Sequence, residues 1–244
     1  MSDNIRTKEI YLIRHGETDW NVLHKAQGGE FDIPLNNNGK KQAKKTGSYL
    51  ATNRLSSGQF DLIISSGMKR AHETATIIAK QLLYTKPILI IEDLKERLYG
   101  DLGGKIDEEI KSDKTSYFDP YIKAMEKFKK EPDPIKQRDI YYSNNKLFHE
   151  LYQTELFKDF RKRVKKGLKE IYDRPENKIL VISHGGTIIQ ALQIMSGIDD
   201  YIHGNYRNGT NCHISYIKLY EKVEKNKIKR RTKIIKLLTT EHLK

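Results

Sequence analysis

Cysteine and tryptophan each occur once in the 244 residues, as Cys212 and Trp20, and there are six prolines. One thiol cannot close an internal disulfide, so the fold is expected to form without cross-links, and such sparing use of cysteine suits a reducing, cytoplasmic compartment. Long apolar runs are missing too. Spanning a bilayer takes roughly 20 consecutive apolar residues, and no stretch approaches that. Residues 1–8 are polar, without the apolar core of a signal peptide, so no membrane partner is expected. Internal repeats and low-complexity linkers are also absent. At this length that favours one α/β domain over residues 1–244 rather than two small ones.

Positive charge is plentiful. Lysine and arginine total 45 against 32 acidic residues, a formal charge of +13, which attracts polyanions of any kind: nucleic acid, anionic lipid or a small phosphorylated molecule. The basic residues form a diffuse coat over residues 40–45, 123–130, 158–169 and 222–236. In the densest part, Ile228, Ile234 and Ile235 alternate with lysines and arginines. That is the pattern of an edge strand with a solvated face, where charge discourages aggregation. Nucleic-acid binding is the lesser reading.

Five short runs of β-branched and aromatic residues read as strands: 9–13, 60–64, 88–91, 178–182 and 213–220. Helical periodicity separates them, over about 39–53, 69–83, 157–172 and 187–195. In the third of these helices Phe160, Val164, Leu168 and Ile171 share a face. The alternation predicts a three-layer α/β/α sandwich with a mostly parallel central sheet. Residues 100–145 have no clean period and are broken by Pro120, Pro132 and Pro134, the best helical piece being 121–130. They read as an insertion, either a surface excursion or a cap over a pocket.

The chemistry is concentrated at strand ends, where open α/β sheets bind ligands. The first strand runs into Arg14-His15-Gly16-Glu17, and 179–182 runs into Ser183-His184-Gly185-Gly186. Residues 60–64 run into Ser65-Ser66, with Arg70 in the first turn of the next helix. If these strands are neighbours, Arg14, His15, Arg70 and His184 converge. Two guanidinium forks can grip phosphoryl oxygens and stabilise their charge during transfer. A neutral imidazole can attack phosphorus and split the displacement into two steps. His15, flanked by Arg14 and Gly16, is the better nucleophile, and His184 is the candidate donor to a phosphoryl oxygen. The leaving alcohol needs a proton from a group that can later activate water, which suits a carboxylic acid. Glu96, at a strand exit, is the first candidate and Glu17 the second. A histidine after a strand is more often structural than catalytic, so the inference rests on the joint occurrence of these residues. His72-Glu73 lacks the second histidine of a zinc helix, and residues 100–105 lack the first glycine of a P-loop.

These residues resemble the histidine phosphatase superfamily, or phosphoglycerate mutase-like proteins. The likeness comprises Arg14-His15-Gly16-Glu17 with Asn21, Ser65-Ser66 with Arg70-Ala71 and Thr74-Ala75, Glu96 ahead of Tyr99-Gly100, and Ser183-His184-Gly185-Gly186, in the family's order. It implies the three-layer fold, phosphorylation of His15 in turnover, phosphate held by Arg14, Arg70 and His184, Glu96 as acid and base, and no metal; Asn21 either joins the phosphate pocket or simply bonds its local turn. Gln27, Gly28, Arg97, Tyr99 and Gly185 follow as substrate contacts, although Gln27 and Gly28 could equally serve loop geometry.

Within the family, Gln27-Gly28 followed by Asp32-Ile33-Pro34-Leu35, together with His184-Gly185-Gly186, is similar to the phosphatases. The Glu96-Arg97-Leu98-Tyr99 loop is also similar to mutases, but the Trp-Arg-Arg segment that mutases carry after it is absent. The first expectation is a phosphomonoester hydrolase acting on a soluble phosphorylated metabolite or a phosphoprotein, without cofactor. The alternatives are a mutase that uses 2,3-bisphosphoglycerate, and a catalytically silent protein binding phosphorylated ligands or nucleic acid. A homodimer is compatible with the sequence.

Overall fold

The computed structural model describes residues 5–52, 59–106, 108–109, 123, 126–127, 130–131, 133–197, 210–224 and 227–243. Six strands form one sheet in the order β3-β2-β4-β1-β5-β6. They are β1 (Ile5–Arg14), β2 (Leu62–Ser65), β3 (Leu89–Ile90), β4 (Lys178–Ser183), β5 (Ile214–Glu224) and β6 (Lys227–Thr239). The four strands from β3 to β1 are parallel, while β5 and β6 run antiparallel on the far side of β1.

The helices are α1 (Asp19–Val22), α2 (Asn37–Thr52), α3 (Lys69–Gln81), α4 (Pro134–Tyr152), α5 (Phe157–Asp173) and α6 (Gly185–Met195). Alternation along the strands sends side chains to two cores. Ile10, Leu12, Ile64, Ile179 and Val181 pack with Phe160, Val164 and Leu168 of α5 and with Ile188 of α6. Tyr11, Ile13, Ile63, Leu180 and Ile182 pack with Leu50 of α2 and with Ala71, Ala75 and Ile78 of α3. β4 is buried along its whole length, as a central parallel strand covered on both faces must be. The three expected layers are all present.

β6 lies at the sheet edge and pairs only with β5, as its mixture of isoleucine and positive charge suggested. Pro134 does not break the segment into short pieces but opens the 19-residue α4. Proline is tolerated in a first turn, where its missing N–H would have no intrahelical partner. Most of residues 107–132, including the helical piece read over 121–130, lies outside the described residues. Among the described residues no helix is long and apolar enough to cross a membrane.

Candidate active site

The register of the parallel strands builds the site. Arg14 of β1 pairs with Ser183 of β4, and Ser65 of β2 pairs with Ile182. The next residues on β1 and β4, His15 and His184, therefore arrive side by side, with Ser66 one step behind them, level with Ser183. The ladder continues one step past the strands, His15 N donating to Ser183 O at 2.9 Å and Ser66 N to Ile182 O at 3.2 Å. The rings of His15 and His184 lie with centroids 5.2 Å apart. Arg70, in the first turn of α3, is fully buried. Its Nε donates to His184 Nδ1 at 3.2 Å, and its other nitrogens donate to the carbonyls of Phe31 at 2.7 Å and Gly28 at 3.2 Å.

These contacts fix both tautomers. A backbone carbonyl only accepts, so the 2.7 Å contact from His15 Nδ1 to Gly16 O puts the proton on Nδ1 and leaves the lone pair on Nε2. An arginine Nε only donates, so His184 accepts at Nδ1 and carries its proton on Nε2, which meets Ser66 Oγ at 2.7 Å. A phosphoryl oxygen would compete with Ser66 for that proton. Burial, reinforced by Arg70 and Arg14, holds His15 well below the usual histidine range. Burial first, then Arg70 and His15, does the same to His184. Both rings are thus neutral at physiological pH. Burial also lowers Arg14, and pulls Arg70 down to about 10 against the opposing pull of Glu96 and Asp32. Arg70 remains a cation at neutral pH.

Glu96 is buried on the loop after β3. Its carboxylate accepts from Gly186 N at 2.9 Å, at the amino end of α6, and from Arg97 N at 2.9 Å. Gly186 permits this seat, because a Cβ there would stand 2.6 Å from Glu96 Oε1. A neutral imidazole with its lone pair on Nε2, the buried guanidinium of Arg70, the half-buried Arg14 and a carboxyl group are therefore gathered at one end of the sheet. Such a set can bind a phosphoryl group, accept it on nitrogen and move a proton.

The sequence pattern of the histidine phosphatase superfamily (branch 1) matches residues 10–230. The chain belongs to the histidine phosphatase superfamily. The uncharacterized phosphatase PhoE of Bacillus subtilis is 35% identical over 191 residues, 78% of each chain. A 2,3-bisphosphoglycerate-dependent phosphoglycerate mutase of Buchnera aphidicola is 31% identical over 210 residues, 80% of this chain and 87% of its own. In fold, the phosphoglycerate mutase of Bacillus anthracis superposes with a TM-score of 0.67 at 22% identity, over 88% of each chain. Superfamily relatives thus include both phosphatases and mutases.

Around this superfamily core the remaining predicted residues fall into different places. Gly185 opens α6 and is buried beside His184. Asn21 completes the capping box of α1, whose N-cap is Thr18: its Oδ1 accepts from Thr18 N at 3.1 Å and from Asn211 Nδ2 at 3.0 Å. Gln27 Nε2 donates to Thr18 Oγ1 at 2.8 Å, and the Gly28 carbonyl holds Arg70. Tyr99 donates its backbone N–H to Glu30 Oε1 at 2.8 Å and lies within electrostatic reach of Arg14 and Arg70. Arg97 Nε donates instead to Glu155 O at 2.9 Å. Glu17 is engaged elsewhere, its Oε1 taking the side-chain amides of Asn36 at 3.0 Å and Asn38 at 3.1 Å.

Three contributors carried no signal as site residues in the sequence. Asn211 Nδ2 donates to His15 O at 3.1 Å, and the Cys212 N–H reaches Arg14 O at 3.1 Å and His15 O at 3.3 Å. Thr74 Oγ1 accepts from Gly16 N at 3.0 Å. All three immobilise the His15 turn through its backbone. They come from segments 58 or more residues away, so no local period marks them. The Thr74-Ala75 pair did stand in the family likeness, but with no role attached.

Proposed function

We propose that the protein is a phosphomonoester hydrolase working through a phosphohistidine on His15. The reading is carried by one observation: His15, held neutral by burial and with its lone pair on Nε2, stands beside the buried Arg70, the half-buried Arg14 and a seated carboxyl group. Arg14 and Arg70 take the phosphoryl oxygens. Nε2 attacks phosphorus in line and the phosphorus–oxygen ester bond breaks. Glu96, in its acid form, gives its proton to the leaving oxygen. The carboxylate then takes a proton from water, whose oxygen attacks phosphorus as the phosphorus–nitrogen bond breaks. Inorganic phosphate leaves, and His15 and Glu96 return to their starting forms. None of these steps calls on a metal or cofactor.

A phosphoglycerate mutase, primed by 2,3-bisphosphoglycerate, is the second reading, favoured by the Arg97-Tyr99 loop and the mutase relatives. Against it, the Arg97 guanidinium is engaged by the Glu155 carbonyl, and a mutase must keep water from the phosphohistidine. Hydrolysis of p-nitrophenyl phosphate, abolished by His15→Ala, is the expected result. It should be run beside a coupled mutase assay with and without 2,3-bisphosphoglycerate. Mutase turnover far above any hydrolysis would reverse the order of the two readings. Salt-dependent retention of DNA by a folded but inactive protein would favour the binding protein over both.

A further inference from the structure

Behind the Glu96 loop, Arg163 of α5 uses all five of its N–H donors. Nη1 donates to the carbonyls of Asp93 and Lys95, each at 2.9 Å, and Nη2 to the carbonyl of Glu96 at 3.3 Å. The remaining two donors grip Glu155, Nε to Oε1 at 2.9 Å and Nη2 to Oε2 at 2.8 Å. Glu155 closes on the same loop from its other end. Its Oε2 accepts from Leu98 N at 3.2 Å, its N–H donates to Leu98 O at 2.9 Å, and its carbonyl takes Arg97 Nε at 2.9 Å. The pair is largely buried, with side chains 21% and 12% exposed. On the opposite side, Ser183 Oγ holds Leu94 O and Thr187 Oγ1 holds Lys95 O, each at 2.8 Å.

We propose that Arg163, charge-paired with Glu155, is a positioning residue for proton transfer by Glu96, acting through the backbone of residues 93–96. The inference rests on the assignment of Glu96 as the acid and base. A lysine could not replace the fork, since three donors on a point charge cannot reach three carbonyls and a carboxylate together. Proton transfer needs the carboxyl group within hydrogen-bond reach of the ester oxygen. The carboxylate hangs from a backbone whose carbonyls at 93 and 96 are held by this one side chain.

The test uses two substrates of similar shape. Phenyl phosphate needs its leaving oxygen protonated, whereas p-nitrophenyl phosphate has a leaving group stable as an anion. Arg163→Gln is expected to lower kcat/KM on phenyl phosphate by about 100-fold, the scale of a misplaced catalytic group; kcat/KM reports formation of the phosphohistidine and excludes the later water step that both substrates share. On p-nitrophenyl phosphate the loss in kcat/KM should be severalfold at most. In a Glu96→Gln background, adding Arg163→Gln should cost almost nothing more on phenyl phosphate, as for residues that act as one unit. Glu155→Gln is expected to show the same substrate pattern more weakly, and it carries the test if circular dichroism finds Arg163→Gln unfolded. Equal losses on both substrates, or additive losses in the double variant, would overturn the proposal while leaving Glu96 as the acid. If Glu96→Gln itself fails to discriminate between the substrates, the acid assignment falls and the proposal with it.

Discussion

His213 stands directly behind the Arg14-His15 turn, its carbonyl accepting from Arg14 N at 3.3 Å, and should make the native state acid-sensitive by a calculable amount. It is 1% exposed, and its Nδ1 has no hydrogen-bond partner among the described residues. Burial, with Arg14 adding to it, holds its pKa down to about 3, against an ordinary value of 6.5. Between those two values the unfolded chain binds a proton that the native chain refuses, so stability rises with pH across the window. The contribution is intact above pH 6.5 and is lost as pH falls below it. From pH 7.5 to pH 5.0 the linked loss is about 2 kcal/mol. That figure hardly depends on the native pKa, provided it lies well under 5. Urea unfolding at the two pH values measures it, with His213→Gln as the comparison. His15 and His184 titrate in both proteins and cancel in the difference. The wild type should lose about 2 kcal/mol more than the variant on acidification. Parallel losses would mean that His213 is protonated in the native state, or accessible to water, and would refute the argument from burial.

Nitrogen-15 spectra of the imidazoles should find His15 as the Nδ1–H tautomer and His184 as the Nε2–H tautomer, both neutral at pH 6. The opposite tautomer at His15 would leave no lone pair on the nitrogen assigned to attack. Gly39→Ala is expected to lower stability by about 2–4 kcal/mol, beyond the usual cost of a surface change. Its new Cβ would stand 2.1 Å from Glu17 O and 2.7 Å from Glu17 N, backbone atoms that cannot turn aside. A chemical melt within 1 kcal/mol of wild type would show that α2 and the turn after His15 separate easily.

The residues at the ends of β1 and β4 and in the first turn of α3 were legible in the sequence because their positions follow from local pattern. An apolar run ends and a helix begins, so whatever follows the run lies at the sheet's carboxyl edge. Glu96 could be found on chemical grounds, as a carboxylate at a strand exit. Its placement could not, since that depends on Gly186 N, 90 residues away. α4 was hidden by a rule applied at the wrong position: proline breaks a helix interior but can open a first turn. Arg163 was hidden by its own neighbourhood. In residues 158–169 it is one basic residue among many, and the reading of that stretch as a charged coat holds for its exposed lysines. What separates Arg163 is geometry alone. One turn beyond the buried Phe160, its guanidinium meets three carbonyls from a segment about 70 residues earlier. Composition therefore misjudges charge in this chain. Most of it faces solvent, but Arg14, Arg70 and Arg163 are drawn inward. Each arginine that stays charged there needs acceptors or an anion to offset its desolvation. For Arg163 the acceptors are the Glu96 loop and Glu155. For Arg70 they are His184 Nδ1 and the carbonyls of Phe31 and Gly28, which satisfy its donors but neutralise none of its charge.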